Sequence, residues 1–315
     1  MIPAFQTNLA QKKAELAILK TLVYFDIFEY PLSEKDIKSF IECDISDEIF
    51  ASALLQLLLD KIIFRVDQFY SLLNNRQRAE ERIQGNLRAQ SLIVKATRIG
   101  AFLYKFPYVR GVAVSGSLSK NYADTKADID FFIITKANRL WIARTILHLF
   151  KKLTFLVGKE NFFCMNYFVD EEALVIPEKN IYTAVEVVTL LPIGGTFTLN
   201  KFFEKNQWTR NWLPCYEYAR NLKTAEKGST FKKFTEWLFN SAAGNKLDAF
   251  LYKWTTSRWQ KKEQQGRKNS KGMVMNLVTG KHFSKSNPET FQEKILTLYN
   301  DKITWYLNYH PSYFD

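Results

Sequence analysis

Two short polar motifs are the parts of this sequence that could carry chemistry. Gly116-Ser117 follows an apolar run, and ten residues later Asp128-Ile129-Asp130 opens another. Alternate residues of a strand point to the same side, so Asp128 and Asp130 are expected to project together from the start of a strand. Two carboxylates this close repel each other beside an apolar run unless a cation neutralises them. The pair therefore predicts a site for Mg²⁺, which prefers oxygen ligands, often carboxylates together with substrate phosphates.

The glycine–serine pair offers groups that bind phosphate. It stands where a predicted strand over 109–115 turns into a predicted short helix over 118–122, which Ser117 is expected to cap. Backbone N–H groups and a hydroxyl at a helix N-terminus suit phosphate, and Gly116 lets the backbone come close to a ligand. Ser115 and Lys120, on either side of the pair, are further candidates for nucleotide contact.

Together these motifs resemble the nucleotidyltransferase fold typified by DNA polymerase beta. In that superfamily a Gly-Ser turn precedes an Asp-apolar-Asp strand by about this interval, and the match covers residues 112–135. The resemblance implies Mg²⁺-dependent transfer of a nucleoside monophosphate from an NTP to an acceptor hydroxyl or phosphate. It implies that Asp128 and Asp130 hold two Mg²⁺ ions and that Gly116 and Ser117 grip the β- and γ-phosphates. The alternative interpretation is a βαβ-like turn whose surface strand happens to start with two acids.

Members of that superfamily usually add a third carboxylate from a later strand, and this sequence does not supply it plainly. The next predicted strand, over 161–169, has no acid in its interior and carries Asn166 where an acid is expected. An amide binds Mg²⁺ more weakly than a carboxylate and cannot act as a base. Glu186, on a helix predicted over 182–191, is another candidate. Three interpretations stay open: another residue supplies the group, the enzyme is slow, or the chain binds NTP without transferring it.

Short motifs after the second strand also resemble a pattern in uncharacterised bacterial proteins that contain a nucleotidyltransferase domain. They are Asn166–Phe168, Tyr182–Ala184 with Glu186, Leu191-Pro192, Asn206 with Trp208, and Trp212–Pro214. The combined resemblance covers about residues 90–220, and no acceptor follows from it. Asn206 and the tryptophans are equally well explained as core and capping residues.

The N-terminal residues resemble a winged-helix domain. Three short helices, with Ser33 and Ser46 as expected N-caps, precede two strands that flank Asp67-Gln68. The third helix would be the one that enters a DNA groove, but its polar face is acidic and phosphate repels it. A structural or protein-docking role is therefore favoured, and a DNA-binding regulator stays an alternative function.

These elements predict an α+β multidomain protein. The predicted parts are a winged-helix-like domain (1–75), a connecting helix (76–106), a nucleotidyltransferase-fold mixed β-sheet with helices (107–200) and a mainly helical C-terminal domain (201–315). A length of 315 residues suits two or three domains. The content of 47% hydrophobic and 24% charged residues excludes a disordered or collagenous chain.

The net charge of +12 is concentrated after the motifs. Residues 1–198 hold 24 basic and 22 acidic side chains, whereas residues 199–315 hold 20 and 10. The excess predicts a C-terminal surface for nucleic acid or an acidic partner rather than a DNA-reading N-terminal domain. Aromatic residues interleaved with lysines there suit RNA or a nucleotide base, and equally an amphipathic helix with a solvated lysine face. The acceptor is thus left open among a small molecule, a protein and RNA.

The sequence predicts a cytoplasmic protein with no membrane partner. The N-terminus lacks a basic region followed by an apolar run, and the most apolar stretch is too short and polar to span a bilayer. The three cysteines are far apart and show no paired spacing, so neither zinc nor a disulfide framework is indicated.

Overall fold

The chain folds into an α+β structure with two β-sheets. The computed structural model describes residues 4–155, 162–218, 229–268, 274, 276–286 and 290–309. The helices of this part are α1 (Ala4–Asp26), α2 (Glu34–Phe40), α3 (Asp47–Leu59), α4 (Arg76–Leu103), α5 (Gly116–Ser119), α6 (Leu140–Phe155), α7 (Ile181–Val188), α8 (Thr196–Lys205), α9 (Thr230–Phe239), α10 (Ala242–Gln264) and α11 (Phe291–Tyr309). The strands are β1 (Leu32–Ser33), β2 (Phe64–Val66), β3 (Phe69–Ser71), β4 (Val109–Ser115), β5 (Asp130–Thr135), β6 (Cys164–Asp170), β7 (Leu191–Gly194), β8 (Leu277–Thr279) and β9 (Phe283–Ser286). Position 161, the first of the predicted strand 161–169, lies outside the described residues.

Three helices and a small antiparallel sheet of order β1-β3-β2 make up the N-terminal part. Both predicted N-caps are confirmed. Ser33 and Asp36 form a reciprocal capping box at the start of α2, and the Ser46 hydroxyl accepts the N–H of Ile49 in α3. Asp67, at φ 55°, makes the turn between β2 and β3. The two-residue strand β1 was not predicted, because only its pairing with β3 distinguishes it from a turn.

The second sheet, which we call the central sheet, has six strands in the order β7-β4-β5-β6-β9-β8. Strands β5 and β6 run parallel, and the other neighbouring pairs are antiparallel. The predicted bounds of β4 are confirmed to the residue. The sheet is therefore mixed, as the sequence predicts, within an α+β fold.

The prediction that a strand begins at Asp128 is wrong, because β5 begins at Asp130. The two neighbouring strands have their ends at the same level: β4 ends at Ser115 and β6 begins at Cys164, and both residues pair with Asp130. Asp128 has no strand beside it on either side and therefore precedes the sheet. The alternation rule consequently does not apply to the two acids.

The helix after the glycine–serine turn also differs from the prediction. It covers Gly116–Ser119 rather than 118–122, and Ser117 lies inside it rather than capping it. Gly116 adopts φ +72°, so the chain turns directly at the end of β4. The N–H groups of Lys120 and Tyr122 both donate to the Ser117 carbonyl, so the helix ends after a single turn.

The C-terminal residues complete the central sheet, which the prediction of a mainly helical segment missed. Strand β9 pairs with β6, so that Lys285 lies opposite Tyr167 and Phe283 opposite Val169. Strands β8 and β9 have three and four residues, too few for a clear alternating pattern. Helices α9, α10 and α11 account for the predicted helical character.

The two faces of the sheet bury separate apolar clusters, and β5 contributes to both by alternation. Phe132 and Ile134 join the cluster that includes α1, α3, α7 and α8, while Phe131 and Ile133 join the cluster under α4 and α6. Even-numbered residues of β5, including Asp130, thus lie on the side of α1. Within the described ranges no helix is both long and apolar enough to cross a bilayer.

Candidate functional site

A cavity of about 530 Å³ lies on the α1 side of the central sheet. It brings together most of the residues that the sequence singles out. Its lining includes Ser115, Gly116, Ser117, Lys120, Asp130, Asn166 and Glu186. Asp128 is not among the lining residues, because it precedes β5 instead of projecting from it.

Gly116 and Asp130 are in direct contact at the mouth of the glycine–serine turn. Ser115 pairs with Asp130 across β4 and β5, so the next residue on the chain turns over the carboxylate. A Cβ at Gly116 would stand 2.9 Å from Asp130 Oδ2, and φ +72° is itself a conformation that side chains disfavour. The backbone conformation therefore favours glycine here, and any side chain at this position would displace the Asp130 carboxylate.

Asn166 reaches Asp130 because of a β-bulge. In the β5–β6 ladder Phe131 pairs with Met165 but Phe132 pairs with Tyr167, so Asn166 is the extra residue. A bulge re-aims side chains. Here Asn166 Nδ2 donates to Asp130 Oδ1 at 2.6 Å, and Tyr167 faces the same cavity. Asn166, the residue at the position where an acid is expected, thus contacts Asp130.

The thiol of Cys164 lies beside Asn166 and near both acids. Its Sγ donates to Asn166 Oδ1 at 3.2 Å, which orients the amide with its nitrogen toward Asp130. Burial raises the pKa of Cys164 to about 11, and the negative charges of Asp130 and Asp128 add to that rise. Both acids therefore lie close enough to this thiol to act on it electrostatically.

Lys120 and Glu186 form an ion pair inside the cavity. Lys120 Nζ lies 2.7 Å from Glu186 Oε1 and donates to the Gly116 carbonyl at 3.1 Å. The Tyr30 hydroxyl donates to the Lys120 carbonyl at 2.6 Å, which ties α5 to the N-terminal part. Glu186 thus serves as partner to a lysine in this arrangement. Within the described ranges no group of three His, Cys, Asp or Glu side chains is placed to hold a metal ion.

Aromatic residues, most of which the sequence motifs do not include, form much of the remaining wall. They come from α1 and the loop after it, from the loop after α5, from β6, α7 and α8, and from α11: Tyr24, Phe25, Phe28, Tyr30, Tyr122, Tyr167, Tyr182, Phe202 and Phe291. Burial raises the pKa of Tyr182, and the charges of Glu186 and Asp130 raise it further. Apart from Tyr167 and Tyr182, which lie in the short motifs named from the sequence, no linear signal marks these residues, because they meet only when α1 and α11 pack over the sheet.

A second cation, Lys285 of β9, also lines the cavity. Its Nζ donates to Gln292 Oε1 at 2.8 Å and lies 3.6 Å from Glu178 Oε1. Sequence reasoning assigned this segment no role. No pattern in the sequence indicates this strand, because four residues are too few for a clear alternation of apolar and polar positions.

Comparison of the chain with protein-family models, with curated proteins and with solved structures finds no match. The geometry of the cavity and the motif resemblance are therefore the two observations that bear on function.

Proposed function

We propose that this protein is a Mg²⁺-dependent nucleotidyltransferase that moves a nucleoside monophosphate from an NTP to an acceptor hydroxyl or phosphate. The observation that carries the proposal is the contact between the glycine–serine turn and Asp130. The glycine–serine turn and the acidic motif, which are separated by ten residues in the chain, meet at a cavity of about 530 Å³. That volume suits a small molecule of nucleotide size.

The donor set fits one divalent cation better than two. Asp130, which lines the cavity, would hold Mg²⁺ together with phosphate oxygens of the substrate, and Asp128, two residues earlier and outside the lining, would add a second carboxylate; the ion would neutralise charge on the triphosphate. A third carboxylate does not reach them within the described ranges. We therefore propose that Asp130 and Asp128 bind the metal that accompanies the triphosphate, and we assign no residue to a second ion.

Other residues of the cavity have roles that follow from their positions. The Gly116 backbone approaches the phosphates without a side chain in the way, and the Ser117 hydroxyl is exposed beside it. Lys120 would exchange part of its contact with Glu186 for a phosphate oxygen, since its ammonium has three donors. The aromatic wall offers flat faces on which the base stacks.

Calorimetry with Mg²⁺ and each NTP, on the full chain, tests the binding site. We expect wild type to bind Mg-NTP and the D128N/D130N variant to lose at least tenfold in affinity, because the amides leave the metal without a carboxylate. The D44N variant, with its change at an exposed acid outside the cavity, is the control and should bind as wild type does. Equal affinity of wild type and D128N/D130N would sink the proposal.

Nucleotide binding without transfer is a second candidate function, and one observation favours it. Asn166 contacts Asp130 at 2.6 Å, at the position where the superfamily resemblance implies a carboxylate. An amide there neither binds a second ion well nor takes a proton. In this function the binding of Mg-NTP would act as the signal, and the residues packed around the cavity would respond to it.

Labelled NTPs separate the two functions. Transfer of α-phosphate label to a small molecule, RNA or protein in a cell extract, dependent on Asp130, supports the enzyme. Binding without any adduct supports the sensor, and an N166D variant that gains transfer would show that the missing carboxylate is the reason. If N166D also forms no adduct while it still binds Mg-NTP, the sensor function is favoured over the transferase.

A further inference from the structure

Helices α9 and α10 expose a set of large apolar side chains that we call the C-terminal aromatic face. Its members are between 49% and 77% exposed: Phe231, Phe234, Trp237 and Leu238 on α9, and Phe250 and Trp254 on α10. Single exposed apolar residues are ordinary, but a set along two consecutive helices marks an interaction surface.

The inner side of α9 is polar, so the helix is inverted relative to an ordinary surface helix. Lys232 is buried and donates to the carbonyls of Tyr104 at 3.0 Å and Val109 at 2.6 Å. Glu236 pairs with Arg110 at 2.8 Å on the same side. These anchors fix which side of the helix faces the protein and keep the aromatic residues outward.

Helix α10 is anchored in the same way. The buried Asp248 accepts the backbone N–H of Ile142 at 2.9 Å, at the start of α6. Phe250 and Trp254 lie one turn apart on the opposite side. Because both helices are held by buried polar contacts, neither can turn its aromatic residues inward without leaving charged groups unpaired.

The charge of this surface is strongly positive. Over residues 229–268 the exposed basic side chains are Lys233, Lys246, Lys253, Arg258, Lys261, Arg267 and Lys268, whereas Glu263 is the exposed acid. On α10, Lys246 and Lys253 share the outward side with Phe250. Long cationic side chains next to aromatic ones are typical of helices that lie in a membrane interface.

We propose that the C-terminal aromatic face binds the surface of an anionic lipid bilayer. The aromatic rings and Leu238 would enter the boundary between headgroups and acyl chains, while Lys246, Lys253 and their neighbours contact lipid phosphates. A bare nucleic-acid surface needs the cations but gives no reason for an exposed leucine among them. The proposal concerns contact with the surface alone. It revises the expectation of no membrane partner, and it is independent of the proposed transferase.

Vesicle co-sedimentation of the full chain tests this proposal. We expect binding to phosphatidylcholine vesicles that contain about 30% phosphatidylglycerol and much less to phosphatidylcholine alone. Salt at about 1 M should weaken it, because the Debye length falls to about 3 Å. The K246Q/K253Q variant should bind about 30-fold more weakly, since each lysine near an anionic surface contributes about fivefold.

Aromatic variants test the apolar part of the surface. F234S/W237S and F250S/W254S should each lose at least about tenfold in partitioning, because each removes two large apolar groups from the interface. F197S is the matched control: Phe197 is 82% exposed but lies on α8, outside the aromatic face, and its loss should change nothing. Circular dichroism melts show whether each variant is folded.

Several outcomes would overturn the proposal. Equal binding to neutral and anionic vesicles, or wild-type binding by both aromatic variants, removes it directly. Failure to bind vesicles, together with RNA binding or a dimer that F234S/W237S abolishes, would assign the face to nucleic acid or to a second copy of the chain. None of these results depends on whether Asp130 binds Mg-NTP.

Discussion

At the scale of single residues, the site depends on how closely Gly116 approaches Asp130. The carboxylate is held between the turn on one side and Asn166 on the other. Its position is therefore sensitive to atoms added at Gly116, although Asp130 Oδ2 is the end of a side chain that can move. Loss of site geometry and loss of stability should consequently be separable.

A G116A variant tests this separation. We expect its unfolding free energy to fall by about 1–2 kcal/mol, the cost of a side chain in the left-handed region. The contact with Asp130 adds little to this cost, because the Asp130 side chain moves aside. Mg-NTP affinity should fall at least tenfold for the same reason. The measurements are urea unfolding and calorimetry.

Gly266 provides the control for that variant. It has φ +57° and no heavy atom within 4 Å of a Cβ position, so G266A carries the backbone cost without a contact. G266A should lose similar stability and bind Mg-NTP as wild type does. If G116A also keeps wild-type affinity, the turn does not position Asp130 for binding.

At the scale of elements, buried polar contacts decide how helix α10 packs against α6 beside the central sheet. Asp248 of α10 meets the first turn of α6, where helix N–H groups and the dipole favour a negative charge. Burial nevertheless raises its pKa to about 6. Desolvation therefore outweighs the favourable contacts with the helix terminus.

This balance predicts a pH dependence of stability. The folded-state pKa of Asp248 is raised above the value of 3.8 in the absence of the fold. The folded state therefore binds more protons than the unfolded state between about pH 4 and pH 6, and wild-type stability falls as pH rises through that window. D248N keeps an oxygen that accepts the Ile142 N–H but does not titrate.

Urea unfolding at pH 4, 5, 6 and 7 checks this expectation. The stability of D248N relative to wild type should rise between pH 4 and pH 6 and then stay level. Parallel curves for the two proteins would show that Asp248 keeps its proton affinity unchanged on folding.

At the scale of the whole molecule, one carboxylate of α1 joins α4 to α11, near the other end of the described chain. Asp26, at the end of α1, is buried; it accepts Arg78 Nη1 of α4 at 2.6 Å and also contacts Lys302 Nζ of α11. Two cations thus share one buried acid. The elements that these ion pairs join include α1 and α11, which supply part of the cavity wall.

A D26A variant should lose about 2–3 kcal/mol of unfolding free energy. Breaking a fully buried pair costs about 3–5 kcal/mol, and the lower figure reflects the partial exposure of Lys302. D301A removes the exposed acid next to Lys302 on the same helix and should stay within about 0.5 kcal/mol of wild type. Equal losses in the two variants would mean that the Asp26 network adds nothing specific.

Local chemistry explains which parts could be predicted. Ser33 and Ser46 are caps whose partners lie three residues away, and Val109–Ser115 is an apolar run that ends at a glycine. Short-range patterns determine such features. The starts of β5 and α5 could not be predicted, because they depend on where neighbouring strands stop and on the backbone angle of Gly116.

The sequence by itself determined that the chain is α+β, that a glycine–serine turn precedes a pair of acids, and that the basic excess lies near the C-terminus. These are properties of residue order and local propensity. Only the tertiary structure decided that Asp130 rather than Asp128 faces the cavity and that a bulge turns Asn166 toward it. It also decided that β9 completes the sheet and that aromatic residues of α9 face outward. Each of these depends on pairing between distant segments, which no local pattern encodes.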